Sequence, residues 1–127
     1  MALSRRRLYR ALLVVWVVLT FVLTSLPNPG AHLSFHFADK AAHLGFYAVM
    51  GFFFALWRRE CGFPAARAIF QALLFVAVIG AVDEVHQRWI PGRSMELFDW
   101  IADACGGAAG ALFSVVLPRL FPALITE

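Results

Sequence analysis

Ten polar side chains sit at matching places in an otherwise apolar chain, and their types suit acid–base and cation chemistry. They are Asp39, Lys40 and His43; Asp83, Glu84, His86 and Gln87; Arg93; and Asp99 and Asp103. Carboxylates beside histidines act as general acids and bases, relay protons or hold cations. Each of these residues falls in or beside a long hydrophobic segment. A charge there costs about 2.5–3.5 kcal/mol at mid-span on the lowest scale. Asp83, His86 and Asp103 are the candidate catalytic groups. Lys40, His43, Glu84, Gln87, Arg93, Asp39 and Asp99 are the candidate binding groups. Lys40 and Arg93 suit an anionic group such as phosphate. The five carboxylates exceed the nearby cations Lys40, Arg88 and Arg93, and His43 and His86 are able to offset the difference. The two histidines with two or more aspartates are also ligand types for Zn²⁺ or Mn²⁺. No HExxH or other spaced metal motif occurs, so the sequence assigns no cofactor.

Helical spacing decides which of these groups share a face. Asp39, His43 and Tyr47 recur at i, i+4 and i+8, forming one stripe. Asp83 is placed to meet His86 and Gln87, and Glu84 to reach Arg88. Asp99 and Asp103 are one turn apart, and their stripe continues into Gly107 and Gly110. Three segments thus offer polar faces at one depth, and a bundle turns such faces inward, away from lipid.

The elements that carry these faces follow from composition. The 127 residues are 61% hydrophobic and 15% charged. A soluble domain of this size has too much surface to hide that much apolar material. Four apolar segments predict an all-α, four-helix transmembrane bundle in one domain, with helices at about 8–26, 39–57, 67–87 and 98–117. A span needs about 20 residues. The second and third reach that length only by drawing Asp39–His43 and Asp83–Gln87 into the membrane boundary.

Lysine and arginine set the orientation. Arg5, Arg6, Arg7, Arg10, Arg58, Arg59, Arg67 and Arg119 gather on one side; Lys40, Arg88 and Arg93 gather on the other. The split predicts both termini in the cytoplasm and the polar cluster at the outer end. A net charge of +3 spread in this way is a topology signal and points to no nucleic acid. Arg5–Arg7 before an apolar run resembles a signal peptide. The run is too long for that, and no small-x-small site precedes Pro27-Asn28-Pro29, so a retained helix is expected.

Blander roles compete for several residues. Asp39 and Asp99 suit helix starts, and Lys40 is long enough to snorkel. Arg93 follows Pro91-Gly92 in a tight turn, and His32 and His36 read as loop residues. Cys61 and Cys105 are expected to be far apart and unpaired. Gly106 and Gly110 form a GxxxG pair, read as packing within the bundle, with a homo-oligomer face as the alternative.

The ordered series Asp39-Lys40-x-x-His43-x-x-x-Tyr47, Asp83-Glu84-x-His86-Gln87, Pro91-Gly92-Arg93 and Asp99-x-x-x-Asp103-x-x-Gly106 resembles the VanZ-like family of small bacterial membrane proteins. The resemblance runs from about Asp39 to Gly110; the first segment matches only in being apolar. It implies a multi-pass protein of the bacterial cytoplasmic membrane with an outward-facing polar pocket. It also implies a link to teicoplanin-type glycopeptide resistance, the property associated with the family's namesake.

Three functions are in competition. The pocket acts on or binds a lipid headgroup or lipid-linked glycan; or the protein is a non-catalytic interaction protein whose polar cluster is a structural network; or it is a proton-coupled carrier. The carrier ranks last, because the opposite halves of the segments carry almost no polar lining and no inverted repeat is visible.

Overall fold

A computed structural model describes residues 4–27 and 36–122, with side chains in the second stretch from Asp39 onward. Among these residues every element is helical: α1 Arg5–Thr24, α2 His36–Glu60, α3 Ala65–Gln87 and α4 Leu97–Leu120. All four are long and apolar enough to cross a membrane. The second and third helices run beyond their apolar stretches and include Asp39–His43 and Asp83–Gln87, as the bilayer length required. His32 lies outside the described residues, and so does the side chain of His36.

Local chemistry marks the helix ends. Ser4 caps α1, its hydroxyl oxygen accepting the Arg7 N–H at 3.4 Å. After α2 the chain closes a Schellman turn. Phe63 N donates to Arg58 O at 3.2 Å and Gly62 N to Arg59 O at 2.9 Å, with Gly62 at φ 90°. Pro64 then starts α3. Between α3 and α4, Ile90-Pro91-Gly92-Arg93 makes a turn with Gly92 at φ 75° and Arg93 N donating to Ile90 O at 3.1 Å. Proline second and a positive-φ glycine third are the requirements of a type II turn.

Helix α2 is the centre of the bundle and packs most extensively on α4, while α1 lies mainly against α2. Its fit to α4 depends on missing side chains. A Cβ on Gly106 would strike the Leu44 backbone, one on Gly110 the Ala48 backbone, and one on Gly51 the Gly107 backbone. The GxxxG pair is therefore taken up against α2 of the same chain. The core beside this seam holds Tyr47, Met50, Ala55, Ala72, Val76 and Ala111. The outward surfaces are apolar, with Val15, Phe70, Val78 and Phe98 all more than half exposed. That pattern suits a lipid solvent, where the helices satisfy their own backbone groups. Trp16 Nε1 donates to Phe46 O at 2.7 Å and Trp100 Nε1 to Ala77 O at 2.9 Å, pinning α1 to α2 and α4 to α3. Cys61 and Cys105 are free thiols.

Candidate acidic site at one end of the bundle

The polar faces of α2, α3 and α4 meet at one end, with a contribution from α1. The centre is His43 of α2. Its Nδ1 lies 2.7 Å from Asp103 Oδ1 of α4 and 3.7 Å from Glu84 Oε1 of α3. On the other edge of the ring, Nε2 lies 3.9 Å from Asp99 Oδ2. The His43, Glu84, Asp99 and Asp103 side chains are each 4% exposed or less.

Asp83 sits one layer deeper and is fully buried. Its carboxylate accepts from Thr24 Oγ1 at 2.7 Å, Tyr47 Oη at 3.0 Å and Gln87 Nε2 at 3.4 Å. Three helices therefore converge on one carboxylate. The His43 and Tyr47 rings lie 4° from parallel, with centroids 6.4 Å apart. The Asp39–His43–Tyr47 stripe thus stands as one column from the rim to Asp83.

The rim is charged. Lys40 Nζ lies 3.2 Å from both Glu96 Oε2 and Asp99 Oδ1. Arg93 Nη1 is 3.8 Å from Asp39 Oδ1, and Arg93 Nε donates to Leu26 O at 3.2 Å. The type II turn aims Arg93 across the end of α1, so the guanidinium joins α1, α2 and the turn. Glu84 Oε2 accepts the Glu96 N–H at 3.0 Å, which ties the end of α3 to the start of α4.

Of the ten candidates, nine join this constellation through ion pairs or hydrogen bonds: Asp39, Lys40, His43, Asp83, Glu84, Gln87, Arg93, Asp99 and Asp103. His86 stands apart. Its ring faces Phe21 at 6.2 Å, and Nδ1 is buried with no hydrogen-bond partner. The expected Asp83–His86 pairing does not form, because i+3 on this helix turns His86 toward α1 while i+4 keeps Gln87 beside Asp83. The expected Glu84–Arg88 contact is likewise replaced by Glu84 reaching His43 and the Glu96 backbone.

Besides Tyr47, three participants were not among the ten. Thr24 is a lone hydroxyl near the end of an apolar helix, Glu96 follows the Pro-Gly turn, and Gly80 leaves room for Asp103. A Cβ on Gly80 would lie 2.9 Å from Asp103 Oδ2. Thr24 and Glu96 had a legible signal, being polar at the same end of the chain's segments. Gly80 had none.

Charge defines what the site can do. Asp83, Glu84, Asp99 and Asp103 are all buried, and of these Lys40 reaches Asp99. Glu84 Oε1, Asp99 Oδ1 and Asp103 Oδ2 are buried without a hydrogen-bond partner. Lys40 approaches Asp99 Oδ1 closely but without hydrogen-bond alignment. Such groups demand protons, cations or both. A cavity of about 60 Å³, lined by Leu23, Thr24, Asp39, Ala42, His43, Phe46, Tyr47 and Arg93, leads to the histidine from between α1 and α2. It has room for roughly two waters. The larger cavity at the opposite end, about 460 Å³, is lined by Arg5, Arg59 and Arg119 and shares no residue with the site.

No curated protein and no solved structure gives a significant match to the chain. The family model described as VanZ/LLP1 matches residues 7–118. That span includes all four membrane-crossing helices except their outermost residues, together with every residue of the acidic site. The chain is a multi-pass membrane protein and belongs to the VanZ/LLP1 family.

Proposed function

We propose that the protein binds or modifies a polar, anionic envelope component, a lipid headgroup or a lipid-linked glycan, at the outer face of the bacterial cytoplasmic membrane. The observation that carries this reading is the His43–Asp103 pair, 2.7 Å apart and buried, lying below a rim that holds Lys40 and Arg93. A carboxylate–imidazole pair takes and returns a proton at a substrate atom. Arg93 offers a planar guanidinium and Lys40 an ammonium to a phosphate above it. The excess of basic residues at the opposite end favours the orientation with both termini in the cytoplasm. Acting at that face, the site bears on encounters with glycopeptides of the teicoplanin type.

The acid–base role falls on His43 with Asp103, and Asp83 supports them through Tyr47. His86 is the weakest of the original catalytic candidates, since its ring is turned toward Phe21.

Native mass spectrometry of protein purified in mild detergent tests the reading. Wild type is expected to retain a phosphate-bearing lipid or lipid-linked glycan that Arg93→Ala loses, while Asp103→Asn retains it without turnover. Equal retention by wild type and a folded Arg93→Ala protein sinks the proposal. A second reading, a non-catalytic network that holds four helices in register, is favoured by the small cavity and by the three donors that satisfy Asp83. It predicts that folded variants of His43 and Arg93 leave glycopeptide susceptibility unchanged in cells.

A further inference from the structure

We propose that the acidic end holds one divalent cation, of the Mn²⁺ or Zn²⁺ type, ligated by His43, Glu84 and Asp103. One ligand atom from each lies within 4.8 Å of the other two, and all three residues are buried. They come from three different helices, so the ion joins α2, α3 and α4 at a single point.

Two features of these carboxylates bear on the site. Glu84 Oε1 and Asp103 Oδ2 are buried oxygens with no donor, on side chains 4% and 0% exposed. The charge count is also lopsided. Asp83, Glu84, Asp99 and Asp103 bring four negative charges when ionised, against one ammonium from Lys40 and, when protonated, one imidazolium from His43. A divalent ion answers both needs, because it accepts lone pairs from oxygens that lack donors and offsets carboxylate charge where water cannot.

The donor set selects the ion class. Carboxylates suit Mg²⁺, Ca²⁺ and Mn²⁺, whereas imidazole suits Zn²⁺ and the later transition metals. One imidazole with two carboxylates favours Mn²⁺ or Zn²⁺ over Mg²⁺ and Ca²⁺, which take oxygen alone. On binding, the ion takes the place of the proton between His43 Nδ1 and Asp103 Oδ1. The remaining ring proton then resides on Nε2, which faces Asp99 Oδ2 at 3.9 Å. A carboxylate behind the distal nitrogen is the usual device that fixes a metal-bound histidine's tautomer and orientation. Asp99, itself held by Lys40, would take that place by closing from 3.9 Å to hydrogen-bond distance. Gly80 belongs to the same design, since a Cβ there would lie 2.9 Å from Asp103 Oδ2 and crowd the carboxylate.

In the loaded protein the ion replaces the proton shared by His43 and Asp103, so metal ligation and the acid–base role of that pair are alternatives, and ion content is measured with no lipid or glycan added. Full-length protein in mild detergent is treated with chelator, loaded with Mn²⁺ or Zn²⁺, desalted and assayed by elemental mass spectrometry. About one ion per chain is expected, with Mg²⁺ and Ca²⁺ failing to compete at equal concentration. Asp103→Asn and Glu84→Gln should each weaken binding by more than about a hundredfold, beyond the roughly ten- to hundredfold that loss of a supporting residue typically costs. Glu60→Gln, at the opposite end, should bind as wild type does. Should both site variants fail to fold, pulsed EPR of Mn²⁺-loaded wild type decides. Modulation from one imidazole nitrogen supports the site, and its absence overturns it. Failure of wild type to hold an ion, or undiminished binding by folded site variants, also overturns it.

Discussion

Replacing Gly106 with alanine should damage the acidic site without touching a polar atom. Gly106 lies one turn from Asp103 on α4, and its missing Cβ faces the backbone of Leu44, the residue after His43. A Cβ there would collide with the Leu44 carbonyl oxygen and lie 2.9 Å from the Leu44 carbonyl carbon and 3.0 Å from its Cα. Ordinary contact begins near 3.4 Å. No flexible side chain is available to give way, so α2 and α4 must part by about 1 Å in a core packed at crystal-like density. The His43–Asp103 separation of 2.7 Å then grows to roughly 3.7 Å, beyond hydrogen-bonding reach. Overpacking costs about 1–3 kcal/mol. The lost hydrogen bond adds about 0.6–1.7 kcal/mol, the range found between helices in a bilayer. Packing strain is therefore the larger part of a total of about 2–5 kcal/mol. At roughly 4 °C per kcal/mol for a chain of this length, thermal unfolding in detergent should fall by about 8–20 °C. Imidazole ¹⁵N shifts should report the loss of the His43 contact. Gly45→Ala is the built-in control. It adds the same methyl group one residue along from Leu44 and meets nothing within 4 Å. It should be neutral or stabilise by up to about 1 kcal/mol through helix propensity. If Gly106→Ala melts with wild type and leaves the His43 resonances in place, the close approach does not position the pair.

Other substitutions probe the second layer and the topology. Tyr47→Phe removes one of the three donors to Asp83 and should cost about 1–2 kcal/mol, read from thermal unfolding of detergent-purified protein; an unchanged melt refutes the role given to Tyr47. Thr24→Val keeps shape while deleting the contact from α1 to Asp83, and should destabilise by about 1 kcal/mol. Thr20→Val should cost less, because the Thr20 hydroxyl bonds only to Trp16 O within its own helix. In intact bacterial cells, a membrane-impermeant maleimide should label Ser94→Cys on the turn before α4 but not Cys61 beyond α2. The reverse pattern would invert the proposed orientation.

Much of the fold is legible in the amino-acid sequence, for a physical reason. Lipid enforces helices of a fixed minimum length and makes intramembrane charge costly, so composition and segment length alone specify four spans and flag the residues that must face inward. The periodicity of a helix then placed Asp39, His43 and Tyr47 on one stripe, and the structure has them as a column ending at Asp83. Spacing also offered two partners to Asp83, and here it was ambiguous. His86 and Gln87 are both within one turn, yet only rotation of α3 against α1 and α2 decides that Gln87 turns to the carboxylate and His86 to Phe21. The pairing of His43 with Asp103 spans 60 residues and has no local signature. Thr24 is legible as a polar residue at the right end of its helix, but its bond to Asp83, 59 residues away, is not. These contacts depend on helix rotation and interhelical distance, and those are set where glycines let backbones touch. Composition and spacing thus dictate which groups must find partners. Which partner each one found was decided by the close approach at Gly51, Gly106 and Gly110, through packing between residues distant in the chain.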